Sequence, residues 1–253
     1  FYLGMLLVIV LTFNSLRSLI PASGAVDPLA YHLALPQIYL IKHSLSFERT
    51  ITGALYPDNI GMLYLLALAL RSAVLAQLIH FSFSVLMAFS IWCFCRSTFS
   101  SRVGIWASLI FVMTPVVMFF SPLAYIDVGV GFFQFLALWS FFKWIKSNED
   151  RALLLTGVLM GIAMGCKHTA IPLTLLVGIL VAWITFRRSA ENNLVVRSII
   201  TYALPALIFV LPWYIRAYVE GGNPVWPVAN DIFGGLGYGG SYSIDQKISA
   251  TPT

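Results

Sequence analysis

Seven apolar segments constrain the fold of this chain more than any other feature of its sequence. A helix needs about 20 residues to cross roughly 30 Å of hydrocarbon, and within lipid the backbone must satisfy its polar groups internally. The segments are residues 1–13, 74–95, 103–120, 128–142, 152–165, 170–186 and 198–215. They predict an all-α fold, a polytopic transmembrane helical bundle with about seven spans.

The composition excludes several classes of protein. Of the 253 residues, 59% are hydrophobic and 10% are charged, whereas about 25% of a soluble chain is charged. So few charges cannot cover a water-facing surface, which excludes a soluble enzyme and a disordered protein. The net charge of +5 comes from basic residues scattered between the apolar segments, and this pattern argues against a nucleic-acid partner.

The basic residues predict the orientation of the bundle in the membrane. If the loop after the first span lies outside, three short segments (96–102, 143–151 and 187–197) lie inside. They hold eight of the 15 Lys and Arg residues, namely Arg96, Arg102, Lys143, Lys146, Arg151, Arg187, Arg188 and Arg197. Because short inner loops are enriched in Lys and Arg, the positive-inside rule favours this orientation.

Residues 152–186 raise the question of one span or two. They would form about 52 Å of helix at a rise of 1.5 Å per residue, somewhat less than the roughly 60 Å that two crossings need. A single crossing would move Arg187, Arg188 and Arg197 to the outside. We therefore expect two short helices that meet at residues 165–169, below the outer surface, with Pro172 at the start of the second.

The remaining segments are predicted to be outer loops of a single transmembrane module, residues 1–253. Residues 17–73 form the first outer loop, and residues 60–70 are too short to span the membrane, so this loop is expected to carry interfacial helices. Residues 216–253 are an outer loop or the start of a C-terminal part. The chain begins within an apolar segment without an initiator Met, so we expect a truncated first helix and a fragment of a longer protein.

Most of the carboxylates fall on the predicted outer side. They are Asp27, Glu48, Asp58, Asp127, Glu220, Asp231 and Asp245. Asp27 precedes Pro28, a pattern typical of an N-cap at the start of a helix that would run to about Ile41. Asp127 precedes a short span, where an acid would also favour the helix dipole. For both residues a capping role and a catalytic role remain open, and together they could bind a divalent cation.

Three cationic or imidazole side chains on the same side are candidates for binding an anion. Arg216 can donate two hydrogen bonds to a phosphate, and Lys167 supplies a compact charge. His168 adjoins Lys167 at the break between the two short helices. The alternative for Arg216 is a charged anchor at the end of the last span. Trp213, Tyr214, Tyr218 and Trp226 are typical of an interfacial aromatic belt.

Several of these segments, taken in order, resemble bacterial members of the C superfamily of glycosyltransferases, which includes the protein O-mannosyltransferases and the aminoarabinose transferase of lipid A. The similarity extends over nearly the whole chain. It rests on residues 27–36 (DPLAYHLALP), 56–59 (YPDN) with 62–64 (MLY), 124–127 (AYID), 165–169 (GCKHT), 211–216 (LPWYIR) and 222–227 (GNPVWP).

The resemblance implies an integral membrane enzyme, in the inner (plasma) membrane of a bacterium, with its active site facing outside. Such an enzyme transfers a sugar from a polyprenyl-phosphate donor to an acceptor hydroxyl and is surrounded by membrane lipids. The catalytic base of the family corresponds to Asp27 and its second acid to Asp127. Pro28 replaces the second residue of the family's paired acids, so a divalent metal ion at Asp27 and Asp127 stays open.

The other site residues are predicted to contact the substrate. Lys167, His168 and Arg216 are expected to stabilise the leaving lipid phosphate, and Tyr31, His32 and Asp58 lie in the shared motifs. A single displacement at the anomeric carbon would invert its configuration. Two other classes remain open: a secondary transporter, which also uses ionisable residues and broken helices, and a non-catalytic, lipid-binding membrane subunit of a larger complex.

Overall fold

The computed structural model describes residues 2–21, 25–51, 53–189 and 191–234. These residues form helices, turns and loops, without a strand among them. In chain order, the helices are α1 (Tyr2–Ser18), a π-helix (Pro28–His32), α2 (Ala34–Lys42), α3 (Asn59–Ala69), α4 (Ala73–Thr98), α5 (Ser101–Met113), α6 (Pro115–Phe120), α7 (Asp127–Ser147), α8 (Asp150–Met164), a 3-10 helix (His168–Ala170), α9 (Ile171–Arg188), α10 (Asn192–Gly221) and α11 (Asn230–Phe233). The predicted all-α polytopic bundle is confirmed.

A helix lies at each of the seven predicted spans, and four are long and apolar enough to cross a membrane. These four are Ala73–Thr98, Asp127–Ser147, His168–Arg188 and Asn192–Gly221. The predicted break at residues 165–169 is confirmed, since α8 ends at Met164 and α9 begins at Ile171 with Pro172 in its first turn. Pro suits this position because its missing N–H would have no partner there anyway.

Some predicted boundaries were wrong. The segment 103–120 is divided at Thr114–Pro115 into α5 and α6, because proline cannot donate an intrahelical hydrogen bond and disfavours helical geometry at the residue before it. The last span extends well beyond 198–215, to the full length of α10. Likewise, α7 continues past Phe142 to Ser147, so nothing requires it to begin below the membrane surface.

Close backbone packing joins α8 to α10. An added Cβ on Gly157 would lie 2.1 Å from the carbonyl oxygen of Tyr202, and one on Gly161 would lie 2.4 Å from that of Ala206. Small residues four apart let helices approach in this way. The short helix α3 packs one face into the interior, where Ile60 and Tyr64 are buried in the main hydrophobic cluster, while Leu63 and Leu66 on the same helix are exposed.

The helix order divides the bundle into two ends. We call one the loop end; it contains residues 25–51, 53–58, 121–126, 165–170 and 222–234. The other is the arginine end, with residues 96–102, 143–151, 187–189 and 191–197, which hold the eight basic residues of the predicted inner side. Asp245 and the rest of residues 235–253 lie outside the described residues.

Candidate active site

Asn59 joins three elements at the loop end. Its backbone N–H donates to the carbonyl oxygen of Gly165 (2.8 Å), and its Nδ2 donates to that of Ile162 (3.2 Å). Its Oδ1 accepts a hydrogen bond from Nε1 of Trp213 on α10 (2.7 Å). The start of α3 is therefore tied to the end of α8 and to α10, which fixes the segment carrying Asp58 against the segment carrying Lys167.

A cavity of about 280 Å³ lies where these segments meet. It contains five of the predicted substrate-contacting residues, together with a wall of apolar and aromatic groups from the loops. Its lining residues are Tyr31, His32, Leu35, Gly53, Tyr56, Pro57, Asp58, Ile126, Cys166, Lys167, His168, Thr169, Pro227 and Val228. Residues from distant parts of the chain thus share one concave, mostly apolar site, which is typical of a small-molecule pocket.

Asp27 contacts this cavity through Tyr31, whose hydroxyl donates to Oδ2 of Asp27 at 3.0 Å. The predicted N-cap role of Asp27 was wrong. Its φ of −62° and ψ of −44° are already helical, and its side chain makes no capping hydrogen bond, whereas an N-cap residue needs extended geometry. The carboxylate instead faces the phenol one turn later, in the segment that continues as the π-helix.

Asp127 and Lys167 form an ion pair at the edge of the cavity, with Nζ 2.6 Å from Oδ1. Both side chains are partly exposed. Burial raises the pKa of the Tyr31 and Tyr125 phenols, and the negative charges of Asp27 and Asp127 raise the pKa of both further. The charges of both carboxylates therefore act on the same two phenols.

Two imidazoles face the cavity without a polar partner. The Nε2 atoms of His32 and His168 are buried and have no hydrogen-bond partner within the described residues. Burial lowers the pKa of His32 to about 3, the charge of Lys167 lowers it as well, and Asp127 opposes the shift. At neutral pH His32 is therefore uncharged, with a ring nitrogen available to a ligand.

Asp58, unlike Asp27, does cap a helix. It lies at the N-cap of α3, where Oδ1 accepts a hydrogen bond from the backbone N–H of Gly61 at 3.1 Å. Burial raises the pKa of Asp58 to about 8, although the Gly61 hydrogen bond and the charge of Arg216 act in the opposite direction. The carboxyl group is thus mostly protonated at pH 7 and able to donate a hydrogen bond.

Arg216 does not line the cavity. Its Nε lies 3.0 Å from Oε2 of Glu220, one turn along α10, and Nη2 donates to the carbonyl oxygen of Ser46 at 3.4 Å. The guanidinium also lies over the ring of Tyr39. These contacts hold the loop around Ser46 against α10. Arg216 influences the cavity only through its charge, which lowers the pKa of Asp58.

The family model of the dolichyl-phosphate-mannose-protein mannosyltransferases matches residues 64–215, more than half of the chain. The chain belongs to this family. The resemblance seen in the sequence is confirmed, and the protein is a membrane glycosyltransferase of the C superfamily. The matched range contains Asp127, Lys167 and His168, while Asp27, Asp58 and Arg216 lie beyond it. No curated protein and no solved structure gave a significant match.

Several lining residues of this mannosyltransferase-family chain escaped sequence reasoning. The ring of Tyr56 lies 6.0 Å from that of Tyr31, 5.9 Å from that of His168 and 5.5 Å from that of Trp226. Trp226 and Trp213 are buried, so the aromatic belt predicted for them was wrong. The motif around Pro57 could have indicated Tyr56. The spacing of Gly157, Gly161 and Gly165 could have indicated the close packing of α8.

The described residues offer no site for a metal ion with three protein ligands, since no group of three His, Cys, Asp or Glu side chains converges among them. The two carboxylates that the sequence suggested for a divalent cation already have partners. Asp127 is paired with Lys167, and Asp27 accepts the hydrogen bond from Tyr31. The arrangement is one of two carboxylates, one partnered by an ammonium group and the other by a phenol.

Proposed function

We propose that this protein transfers a sugar from a polyprenyl-phosphate donor to an acceptor hydroxyl, with Asp27 as the catalytic base. The observation that carries the proposal is the Lys167–Asp127 pair at the edge of a cavity that Tyr31 links to Asp27. Family membership supports glycosyl transfer over the transporter reading. A lipid-linked donor suits a site at the end of membrane helices. There the phosphate can lie at the polar surface while the polyprenyl tail lies in the hydrocarbon of the membrane.

Lys167 is the group proposed to bind the donor phosphate. An ammonium group has three N–H donors; the one of Lys167 that is used donates to Asp127, and Nζ has no other hydrogen-bond partner among the described residues. Two donors thus remain for phosphate oxygens. Asp127 holds the ammonium group at the edge of the cavity, and His168 offers a neutral ring nitrogen nearby. Positive charge at this position stabilises the phosphate as it leaves.

The proposed reaction is one displacement at the anomeric carbon. The acceptor oxygen forms a bond to that carbon while the bond from the carbon to the phosphate oxygen breaks, and the acceptor proton moves to Asp27. Tyr31, His32 and the protonated Asp58 are placed to hydrogen-bond the sugar hydroxyls. A single displacement inverts the anomeric configuration. The cavity opens away from the cytoplasm, because the arginine end lies at the opposite side of the bundle.

The test is transfer by the purified protein from defined polyprenyl-phosphate sugars, with the anomer of the product assigned by NMR. Asp27→Asn should lower kcat/KM by about 10²- to 10⁴-fold, the usual contribution of a general base. Asp231→Asn, a change to an exposed acid on α11, is the matched control and should keep full activity. A folded Asp27→Asn protein with wild-type activity would refute the role of Asp27, and a retained anomer would refute the single displacement.

A chelator arm tests the metal question separately. Transfer is measured before and after treatment with EDTA and after return of Mg²⁺ or Mn²⁺. Because Asp27 and Asp127 have partners in the protein, we expect transfer to survive chelation. Loss of activity that a divalent cation restores would show that transfer requires a metal ion.

A further inference from the structure

A second cavity, of about 780 Å³, lies at the arginine end. It is separated from the candidate active site by the length of α8 and plays no part in the proposed transfer. Its lining residues are Trp144, Asn148, Glu149, Asp150, Arg151, Thr185, Arg188, Ser189, Leu194, Arg197 and Ser198. Three of these are arginines and two are acids, so the lining carries a net positive charge.

Two of the arginines are held in place by the protein. Nη1 of Arg188 donates to Oδ1 of Asn148 at 2.6 Å, and the guanidinium lies 5.1 Å above the ring of Trp144. Arg197 forms an ion pair with Asp150. The side chain of Arg151, by contrast, is exposed and makes no ion pair or hydrogen bond with any described residue. The cavity therefore contains one uncommitted guanidinium beside two ordered ones, an arrangement suited to a phosphate group.

Thr185 gives an independent indication of a ligand. Its side chain lines the cavity and is more than nine-tenths buried (8% exposed). Its hydroxyl oxygen nevertheless has no hydrogen-bond partner within the described residues. A buried hydroxyl without a partner is unfavourable, and an anion in the cavity would supply the missing hydrogen bond.

A shallower depression of about 330 Å³ continues the cavity along α10. It is lined by Asn193, Val196, Arg197, Ile200 and Thr201, so Arg197 lies on both. Val196 and Ile200 within this depression and Leu204 one turn further along the same helix have exposed apolar side chains. A free anion would occupy only the first cavity, whereas a lipid can place its headgroup there and its chains along α10.

We propose that the cavity at the arginine end binds the phosphate headgroup of an anionic membrane lipid. Arg151 and Arg188 contact the phosphate, Thr185 donates a hydrogen bond to it, and the acyl chains lie against Val196 and Ile200. The site is separate from the glycosyl-transfer site and does not depend on the function proposed for it.

The experiment is a separate titration of the detergent-solubilised protein with phosphatidylglycerol, phosphatidylcholine and inorganic phosphate. Native mass spectrometry gives the Kd of each probe, and the rise of the unfolding midpoint with probe concentration gives a second estimate. We expect phosphatidylglycerol to bind more tightly than the other two probes. Arg151→Gln and Thr185→Val should each raise the Kd for phosphatidylglycerol by about tenfold, which corresponds to the loss of one hydrogen bond to a charged group. Thr185→Val keeps the shape of the side chain and so protects the test from a folding defect.

Arg102→Gln is the matched control, since it removes one charge at the same end outside the cavity and should leave Kd unchanged. Equal binding of phosphatidylglycerol and phosphatidylcholine would overturn the proposal. So would an equal loss of affinity in Arg102→Gln, which would indicate general charge attraction. Binding of inorganic phosphate with the affinity of the lipid would also overturn it, by showing that the occupant is a soluble anion.

Discussion

The two ends of the bundle each carry an ion pair between helices or loops that are distant in the chain, yet their surroundings differ. Asp127 and Lys167 pair beside a cavity with buried, unpartnered imidazoles. Asp150 and Arg197 pair in a more exposed position at the edge of a wide, arginine-lined cavity. An ion pair is therefore common to both ends, whereas the buried groups beside it differ: imidazoles with an unpartnered Nε2 at the loop end and the Thr185 hydroxyl at the arginine end.

Substitution of Lys167 is expected to give the largest difference between the two ends. Lys167→Gln keeps a polar side chain but removes the charge proposed to stabilise the leaving phosphate, so kcat should fall by about 10²-fold or more. The exposed pair contributes little to folding, and the unfolding midpoint should therefore change little. Lys146→Gln, at the arginine end, is the control. Equal activities of the two variants would show that the loop end has no special role in transfer.

A second change tests whether the geometry of the loop end depends on close packing. An added Cβ on Gly165 would lie 2.1 Å from Nδ2 of Asn59, so Gly165→Ala must displace the residue that joins α3 to α8 and α10. Overpacking of this kind costs about 1–3 kcal/mol, and transfer should fall with stability. At Gly131 nothing lies within 4 Å of an added Cβ. Gly131→Ala should therefore be neutral or slightly stabilising, and a similar loss in both variants would contradict the packing argument.

A third test concerns Asp58 and pH. Its pKa of about 8 lies above the ordinary value of 3.8, so the folded chain binds this proton more tightly than the unfolded chain. The contribution to stability is complete below about pH 4 and is lost as the pH rises to 8. Asn is also a good N-cap, so Asp58→Asn should keep α3 and remove this dependence. The measurement is the difference in unfolding midpoint between wild type and Asp58→Asn from pH 4 to 9; a constant difference would show that Asp58 is ionised throughout.

The sequence predicted which groups belong to the candidate site better than it predicted what each one does. Tyr31, His32, Asp58, Lys167 and His168 do line one cavity. Their order and common side of the membrane were readable because hydrophobic segments and basic loops report topology. Their individual partners were not readable, since contacts such as Lys167–Asp127 join residues 40 positions apart.

Arg216 and Asp27 illustrate where local patterns mislead. The position of Arg216 at the end of an apolar segment fits an anion site or an anchor equally well, and Glu220 and Ser46 decide the matter only once α10 and the loop are packed. The Asp27–Pro28 pair is typical of a cap, yet Asp27 has helical dihedral angles and makes no capping hydrogen bond, whereas Asp58 caps a different helix, α3. Dihedral angles that depend on neighbouring helices overrode the local preference.

The sequence by itself determined the membrane-embedded helical bundle, the division of its residues between a loop end and a basic end, and the break at residues 165–169. These follow from the cost of leaving backbone groups unpaired in lipid, which acts on each segment separately. Only the tertiary structure decided the shape of the two cavities, the pairing of Lys167 with Asp127 and the burial that keeps His32 neutral and Asp58 protonated. Such properties depend on which side chains exclude water from one another, and that is settled only when the helices pack.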